Sequence, residues 1–354
     1  MLDTLTIPTQ TTTASRLAEL DTNNLEFGKQ FSDHMFVADY KDGEWQNPQI
    51  LPYGDFTVSP ANSALHYGQA IFEGLKAYKN EQGDITLFRP YDNIARMNTS
   101  ADRMCMPPVP EELFIQALTQ LVRLDAAWVP SAPNTSLYIR PFMFATDGML
   151  GVRPSETYRF AIITCPVGAF FGKPLRVRFE EKYVRSAEGG AGYAKNAGNY
   201  GAALYPTKLA QDAGYHQLLW TDASQHRFIE ESGTMNVAFI MDGKLVTPAL
   251  STSILDGITR RSVLQLARDW GMPVEERKVS AAEVLEALQN GTLAEAFGIG
   301  TAVTISPITV VGCQGQDYSL PELKADSFAK RMLQALNDIR LGVAPDTHNW
   351  VVTV

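Results

Sequence analysis

Cysteine is scarce. Three occur in 354 residues, Cys105, Cys165 and Cys313. An odd number at wide spacing argues against a disulfide framework and against a zinc site built on close cysteine pairs, so no metal is expected. A reducing cytoplasm is the simplest compartment. Long hydrophobic runs are missing too: no stretch of about 18 apolar residues could cross a membrane. Met1–Ser15 is threonine-rich and lacks the basic start and apolar centre of a secretory signal. Positive charge is in deficit, with 30 Lys+Arg against 39 Asp+Glu and a net charge of -9, which argues against a nucleic-acid partner, since that would want a basic stripe, and leaves room for local basic pockets that take anionic metabolites. No Gly-x-Gly-x-x-Gly run follows a strand, so a dinucleotide-binding domain has no support.

What is present is an ordinary globular composition, 45% hydrophobic and 19% charged. A chain of this length suits two domains. Strand-rich runs pair as hairpins around Lys41-Asp42-Gly43, Glu81-Gln82-Gly83 and Asp242-Gly243. Helical spacing is expected over Ser15–Leu20, Pro90–Met104, Glu111–Trp128, Asn196–Ala213 (with a kink at Pro206), Thr259–Trp270, Ala281–Gln289 and Leu320–Leu341. Strands and helices do not alternate regularly. Mixed sheets in an α/β or α+β arrangement are therefore expected, not a doubly wound parallel sheet. Gly168–Pro174, with two glycines and a proline between strand-rich runs, is the predicted linker. It divides the chain into 1–167 and 175–354.

Five segments could carry chemistry. In Gly192–Tyr200, Lys195 lies among small residues just before a helix, where another group can approach the backbone closely. A lysine partly desolvated there becomes a usable nucleophile and proton carrier. Otherwise it is a solvated surface group. In Glu230–Asn236 a carboxylate ends a strand before a small-residue turn. Such an acid either sits in solvent or faces a cationic ring nitrogen. Leu255–Arg261 opens a helix whose free N–H groups make a natural phosphate site, or simply a capped helix. Gly298–Ala302 is a small-residue turn with a hydroxyl. Leu65–Gly74 mixes aromatics and glycine, as either core or substrate pocket. Arg96 and Arg140 are single arginines whose ordinary role would be a surface ion pair.

Taken together, His66–Ala77, Leu87–Pro90, Lys195–Tyr200, Glu231–Asn236 and Gly300–Ala302 resemble, in order, the motifs of the branched-chain aminotransferases. These belong to the fold-type IV pyridoxal-phosphate enzymes. The likeness runs from about residue 26 to about 340. It implies a smaller N-terminal α/β domain, a linker and a larger C-terminal pseudo-barrel domain that binds the cofactor. The site would lie between them and be closed by residues of a homodimer partner. Lys195 would carry pyridoxal 5′-phosphate as a Schiff base. Tyr200 would bond the cofactor's phenolic oxygen and Glu231 its ring nitrogen; Glu230 is adjacent, but the spacing to Asn236 favours Glu231. Arg96 matches the phosphate-binding arginine, with Arg89 as runner-up. Thr234, Asn236, Gly257, Ile258, Thr259, Gly300 and Thr301 would complete the cofactor site. Phe27, Tyr67, Phe72, Tyr138, Thr234 and Ala302 would line the substrate pocket, and Arg140 would receive the side-chain carboxylate of 2-oxoglutarate.

One departure stands out. Mammalian relatives carry a Cys-x-x-Cys switch after the Gly-Thr-Ala turn, where this chain has Val303 and Ser306, so no thiol switch is expected. The implied reaction moves the amino group of L-leucine, L-isoleucine or L-valine to 2-oxoglutarate. Its rivals are a D-amino-acid aminotransferase or an aminodeoxychorismate lyase of the same fold type, a non-catalytic cofactor carrier and a plain structural protein.

Overall fold

The computed structural model describes residues 6–168 and 174–354. They fall into two compact units, one of Met1–Phe170, Ala194–Ala197 and Asp338–Val354, the other of Phe171–Tyr193 and Gly198–Asn337.

The first unit is built on an 8-stranded sheet, antiparallel throughout its paired strands. β1 (His34–Lys41) and β2 (Glu44–Pro52) form a hairpin whose turn residues Asp42 and Gly43 both have positive φ, 55° and 87°, matching the expected Asp-Gly turn. β3 (Ala70–Phe72), β4 (Leu75–Lys79) and β5 (Ile85–Phe88) precede α2 (Pro90–Arg103) and α3 (Glu111–Leu124); a short α1 (Ser63–Tyr67) lies before β3. β6 (Ser136–Ala145) and β7 (Tyr158–Val167) follow, and β17 (Val351–Thr353) returns to pair with β5. The sheet order is β17-β5-β4-β6-β7-β1-β2, with β3 on β6.

Period-2 alternation sorts the two faces of this sheet. Leu75 and Ala77 of β4, and Leu137, Ile139, Met143 and Ala145 of β6, join a core with Ile94, Met97, Ala101, Phe114, Leu118 and Leu121 of α2 and α3. The residues between them, Lys76, Tyr138, Arg140 and Phe142, take the opposite face by the same rule. Hydrophobic packing on one side therefore fixes which side chains are presented on the other.

The second unit carries a 9-stranded mixed sheet. β8 (Leu175–Phe179), β9 (Gln217–Thr221), β10 (Ile229–Ser232), β11 (Asn236–Met241), β12 (Lys244–Pro248), β13 (Val274–Arg277), β14 (Leu293–Gly300), β15 (Thr304–Cys313) and β16 (Gln316–Ser319) form it, in the order β10-β9-β8-β15-β14-β11-β12-β13 with β16 on β15. The unit also holds α4 (Ala197–Asp212, beginning at the unit boundary), α5 (Ile258–Asp269) and α6 (Ala281–Gln289), with α7 (Phe328–Arg340) ending in the first unit. Every residue of β11 is buried, as its unbroken apolar run requires of a central strand covered on both faces.

Three expectations are modified. The grouping is not a single cut near 168–174, a segment mostly outside the described residues. Residues 194–197 and 338–354 belong with the first unit, held there by Phe72–Lys195 and β17–β5 hydrogen bonds. The helix expected over Glu111–Trp128 stops at Leu124, because the Asp125 carboxylate turns to accept the His34 N–H at 3.0 Å and to pair with His34 Nδ1 at 2.6 Å. The helix expected from Leu320 begins at Phe328, where the Glu295 carboxylate of β14 accepts the N–H groups of Phe328 and Ala329 at 2.6 and 2.9 Å.

Two stability outcomes follow from the first unit. Phe114→Ala removes a fully buried ring from the helix–sheet core and lowers unfolding stability by about 3–5 kcal/mol, read from urea midpoints. Lys76 is 9% exposed, and burial together with the Arg340 charge brings its pKa down to about 7. Between pH 7 and the unfolded value of 10.5, the unfolded chain holds a proton that the folded chain has lost. Stability relative to Lys76→Met therefore rises with pH across that window, by at most about 1.4 kcal/mol per unit. Melts at pH 7 and pH 9 check the sign.

Candidate active site

Lys195 sits in a short stretch of extended chain laid on the first unit. Its N–H donates to Ser100 Oγ at 2.9 Å, and its carbonyl accepts from the Phe72 N–H at 3.0 Å. Asn196 bridges to Ile71 of β3. The main chain is thus held on both sides, while the ammonium lies 4.7 Å from the centroid of the Phe72 ring, a cation–π distance.

Helix α2 supplies the support, and its sequence explains how. Two stripes run side by side at helical spacing. Ile94, Met97 and Ala101 enter the core, while Asn93, Arg96 and Ser100 are equally buried but polar. The polar stripe is satisfied by Glu73, which is 0% exposed. Its carboxylate accepts Arg96 Nε and Nη2 at 2.8 Å each, Asn93 Nδ2 at 2.8 Å and the Gly74 N–H at 3.1 Å. Burial alone would raise the Glu73 pKa. The charge and bonds of Arg96, the charge of Lys195 and the Asn93 bond overcome this and hold it below the ordinary carboxylate value.

The exposed-side face of the same sheet gathers the expected pocket residues. Arg140 Nη2 donates to the Tyr138 hydroxyl at 2.9 Å, and its guanidinium carbon lies 4.7 Å from the Phe72 centroid. Phe27 meets Tyr138 edge-on at 4.8 Å. Gly74 makes room for this group: a Cβ there would fall 2.1 Å from the Tyr138 hydroxyl. Arg140 Nε is buried with no hydrogen-bond partner. Tyr67, at the end of α1, is 44% exposed.

The second unit assembles a different set. Glu231, 2% exposed at the end of β10, pairs with Arg185 Nε at 2.9 Å and accepts the Leu255 N–H at 2.6 Å. Arg185 also donates to the carbonyls of Ser253 at 2.7 Å and Gly192 at 3.2 Å. Its neighbour Glu230 bonds the Ser253 hydroxyl, and burial raises its pKa. Asn236 Nδ2 donates to the Leu255 carbonyl at 2.9 Å, so the strand that starts at Asn236 fixes the approach to α5. Gly257 caps α5, and a Cβ there would lie 2.0 Å from Asn236 Oδ1, so any larger residue would displace the Asn236 amide. Ile258 and Thr259 follow in the first turn, where N–H groups lack helical acceptors. Asn236 pairs with Ile299, and Gly300 with Thr304. The Gly300-Thr301-Ala302 turn therefore stands at the same sheet end as Asn236. Thr234 is exposed in the tight turn from Ser232 to Met235, and half-buried Tyr200 lies in the first turn of α4.

The first unit accordingly brings together Lys195, Arg96, Phe27, Phe72, Tyr138 and Arg140; the second brings together Glu231, Asn236, Gly257, Ile258, Thr259, Gly300, Thr301 and Ala302. Arg89, the alternative phosphate arginine, is the left-handed cap of α2, paired to Asp92 at 2.8 Å and set over Trp350 at 4.9 Å. Sequence reasoning missed Glu73, Ser100 and Arg185. Ser100 had a readable signal, a polar stripe beside the apolar stripe of α2, and that stripe called for a buried partner without naming Glu73; Arg185 had none, because nothing local pairs it with residue 231. Glu73→Gln strands the Arg96 charge in a buried place and costs about 3 kcal/mol of unfolding stability. The check is a urea midpoint beside that of Glu275→Gln, a half-exposed acid paired with Lys244, whose loss is expected to move it far less.

The family model described as "Amino-transferase class IV" matches residues 70–311. The chain is 46% identical over 339 residues to branched-chain-amino-acid transaminase 1 of Bacillus subtilis, covering 94% of this chain and 95% of that one. It is 45% identical to a probable branched-chain-amino-acid aminotransferase of Staphylococcus epidermidis, covering 94% of each. Among solved structures, the branched-chain amino acid aminotransferase of Escherichia coli superposes with a TM-score of 0.74 at 25% identity, covering 90% of this chain and 98% of that one. The enzyme of Thermobaculum terrenum in its PLP form also gives 0.74, at 23% identity, over 90% and 97% of the two chains. The fold is that of the fold-type IV aminotransferases, and the chain belongs to the class IV aminotransferase family, among the branched-chain aminotransferases.

Proposed function

We propose that the protein transfers the amino group of L-leucine, L-isoleucine and L-valine to 2-oxoglutarate, using pyridoxal 5′-phosphate bound through Lys195. The observation that carries this reading is the two-sided main-chain hold on Lys195, which fixes the backbone from which the amine extends.

The residues suit the cofactor. Glu231 is a buried carboxylate with a cationic partner, a suitable anion for a protonated ring nitrogen. The glycine-capped start of α5, with Ile258 and Thr259, suits a phosphate, as do the Thr301 hydroxyl and Arg96. Asn236 and Gly257 shape that helix start; Thr234, Gly300 and Tyr200 supply the remaining polar and close-approach positions. When bound, pyridoxal phosphate supplies an aldehyde that accepts an amino group and a ring that withdraws electrons. The chain does the rest. Lys195 would hold the cofactor through its amine and, once an incoming amino group had taken that place, the freed amine would serve as the base and acid that moves the substrate's α-proton. Glu231 would keep the ring nitrogen protonated, and Tyr200 would donate to the phenolic oxygen. Phe27, Phe72, Tyr138, Tyr67 and Ala302 offer apolar surface to a branched side chain, while Arg140, with its buried unpartnered Nε, receives the second carboxylate of 2-oxoglutarate.

A homodimer acting in the cytoplasm is part of the same reading. Leu65, Tyr67, Met149, Leu150 and Val152 are exposed apolar side chains of the first unit, the kind of surface a second copy covers. No helix among the described residues is long and apolar enough to cross a membrane.

Borohydride reduction of the loaded enzyme should label Lys195, and Lys195→Ala should abolish turnover. An unlabelled Lys195, or an active variant, removes the proposal. L-leucine, D-alanine and aminodeoxychorismate assayed in parallel should give turnover with leucine alone. Arg140→Met should raise the KM for 2-oxoglutarate about 10–100-fold, the worth of a charged hydrogen bond, and leave the leucine half-reaction within about threefold. Sedimentation should give twice the chain mass.

A further inference from the structure

Ser100 is 0% exposed and lies two turns from the start of the polar stripe on α2. Its hydroxyl donates to the Arg96 carbonyl at 3.1 Å, the back-bond that serine makes to the preceding helical turn. That donation fixes the rotor and leaves the oxygen's lone pairs to accept, and the Lys195 N–H takes them at 2.9 Å. Thr99 makes the same back-bond, to Ala95 at 3.1 Å, but on the exposed side and with no third group. The difference is the inward-facing partner. A hydroxyl buried inside a helix is a liability for helix stability, and here it satisfies the one main-chain donor of Lys195.

We propose that Ser100 is a positioning residue for Lys195. It hangs the lysine's main chain from the same helical turn that carries Arg96, so that the two cations share one rigid reference. The Phe72 N–H holds the other side of the peptide. Glu73 pins the Arg96 side chain, and its carboxylate also feels the Lys195 charge. With the hydroxyl gone, the Lys195 N–H loses the acceptor that ties it to α2, and the short segment relaxes away from that helix. A displacement of that order at a reacting amine slows the step it performs without altering the surface that binds substrate. The functional half of this inference rests on the reading of Lys195 as the cofactor's anchor.

The test uses the loaded full-length enzyme. In the wild type, hydrogen exchange of the Lys195 amide should be strongly protected. Ser100→Ala should speed that exchange by at least about tenfold while the amide of Met97, on the neighbouring stripe, keeps its rate. It should lower kcat about tenfold with the KM for leucine within about twofold, and slow the uptake of pyridoxal phosphate by the stripped protein. Thr99→Ala, which removes the matching outward back-bond, should leave all of these unchanged. An unprotected Lys195 amide in the wild type overturns the proposal, whatever the variant's folding. So does a Ser100→Ala enzyme with unchanged Lys195 exchange and kcat, or one whose faster exchange extends equally to Met97. If Lys195→Ala retains turnover, the anchor reading and the functional half fall together, and the exchange data then report the hydrogen bond alone.

Discussion

The peptide of Lys195 is the fixed point of the first unit. An amine that is to act as proposed for Lys195 must swing, and the backbone behind it has to be still. The chain meets that need by bonding the lysine's own N–H, as donor, and its C=O, as acceptor, to two elements with independent anchorage. α2 is anchored by Ile94, Met97 and Ala101 in the helix–sheet core, and Phe72 by its place on β3. Packing that appears remote from any chemistry thereby sets the origin of the lysine side chain.

Two buried arginines, one in each unit, are handled in the same way. Arg96 has Glu73 and Arg185 has Glu231, each pair almost wholly withdrawn from water. Neither pair is a large source of stability, because desolvation offsets most of the attraction. What each provides is direction. Glu73 accepts Nε and Nη2 of Arg96 and so fixes the plane of the guanidinium; Arg185 fixes one oxygen of Glu231 while the Leu255 N–H fixes the other. These are planar, bidentate or two-point arrangements, which orient a charge more tightly than a lysine–carboxylate contact could.

Much of the fold was readable because its periodicities are clean. The bounds of α6 agree with the expected Ala281–Gln289, and the Asp42-Gly43 and Asp242-Gly243 turns lie between paired strands. Long-range capture was not readable. Asp125 leaves the α3 pattern for His34, and Glu295 sets the start of α7 from another strand, through contacts that span 91 and 33 residues. The site shows the same division. Lys195, Glu231 and the Gly257 cap sit in local contexts whose small residues signal close approach. Arg185 looks like any arginine until the chain folds and brings residue 231 beside it. The reading of Arg96 and Arg140 as ordinary ion-pair candidates was half right for Arg96, whose partner is buried, not solvated.

The last strand has a consequence for biosynthesis. β17 hydrogen-bonds to β5, and Val354 donates its N–H to the Ile85 carbonyl, so a sheet whose other strands all lie before residue 168 takes its edge from residues 351–353. Every strand of the second unit's sheet lies between them in the chain. During synthesis those strands are therefore all made while the earlier-begun sheet still lacks an edge. The order in which the two sheets are completed thus runs against the order in which they are begun, and the N-terminal one is the one that waits.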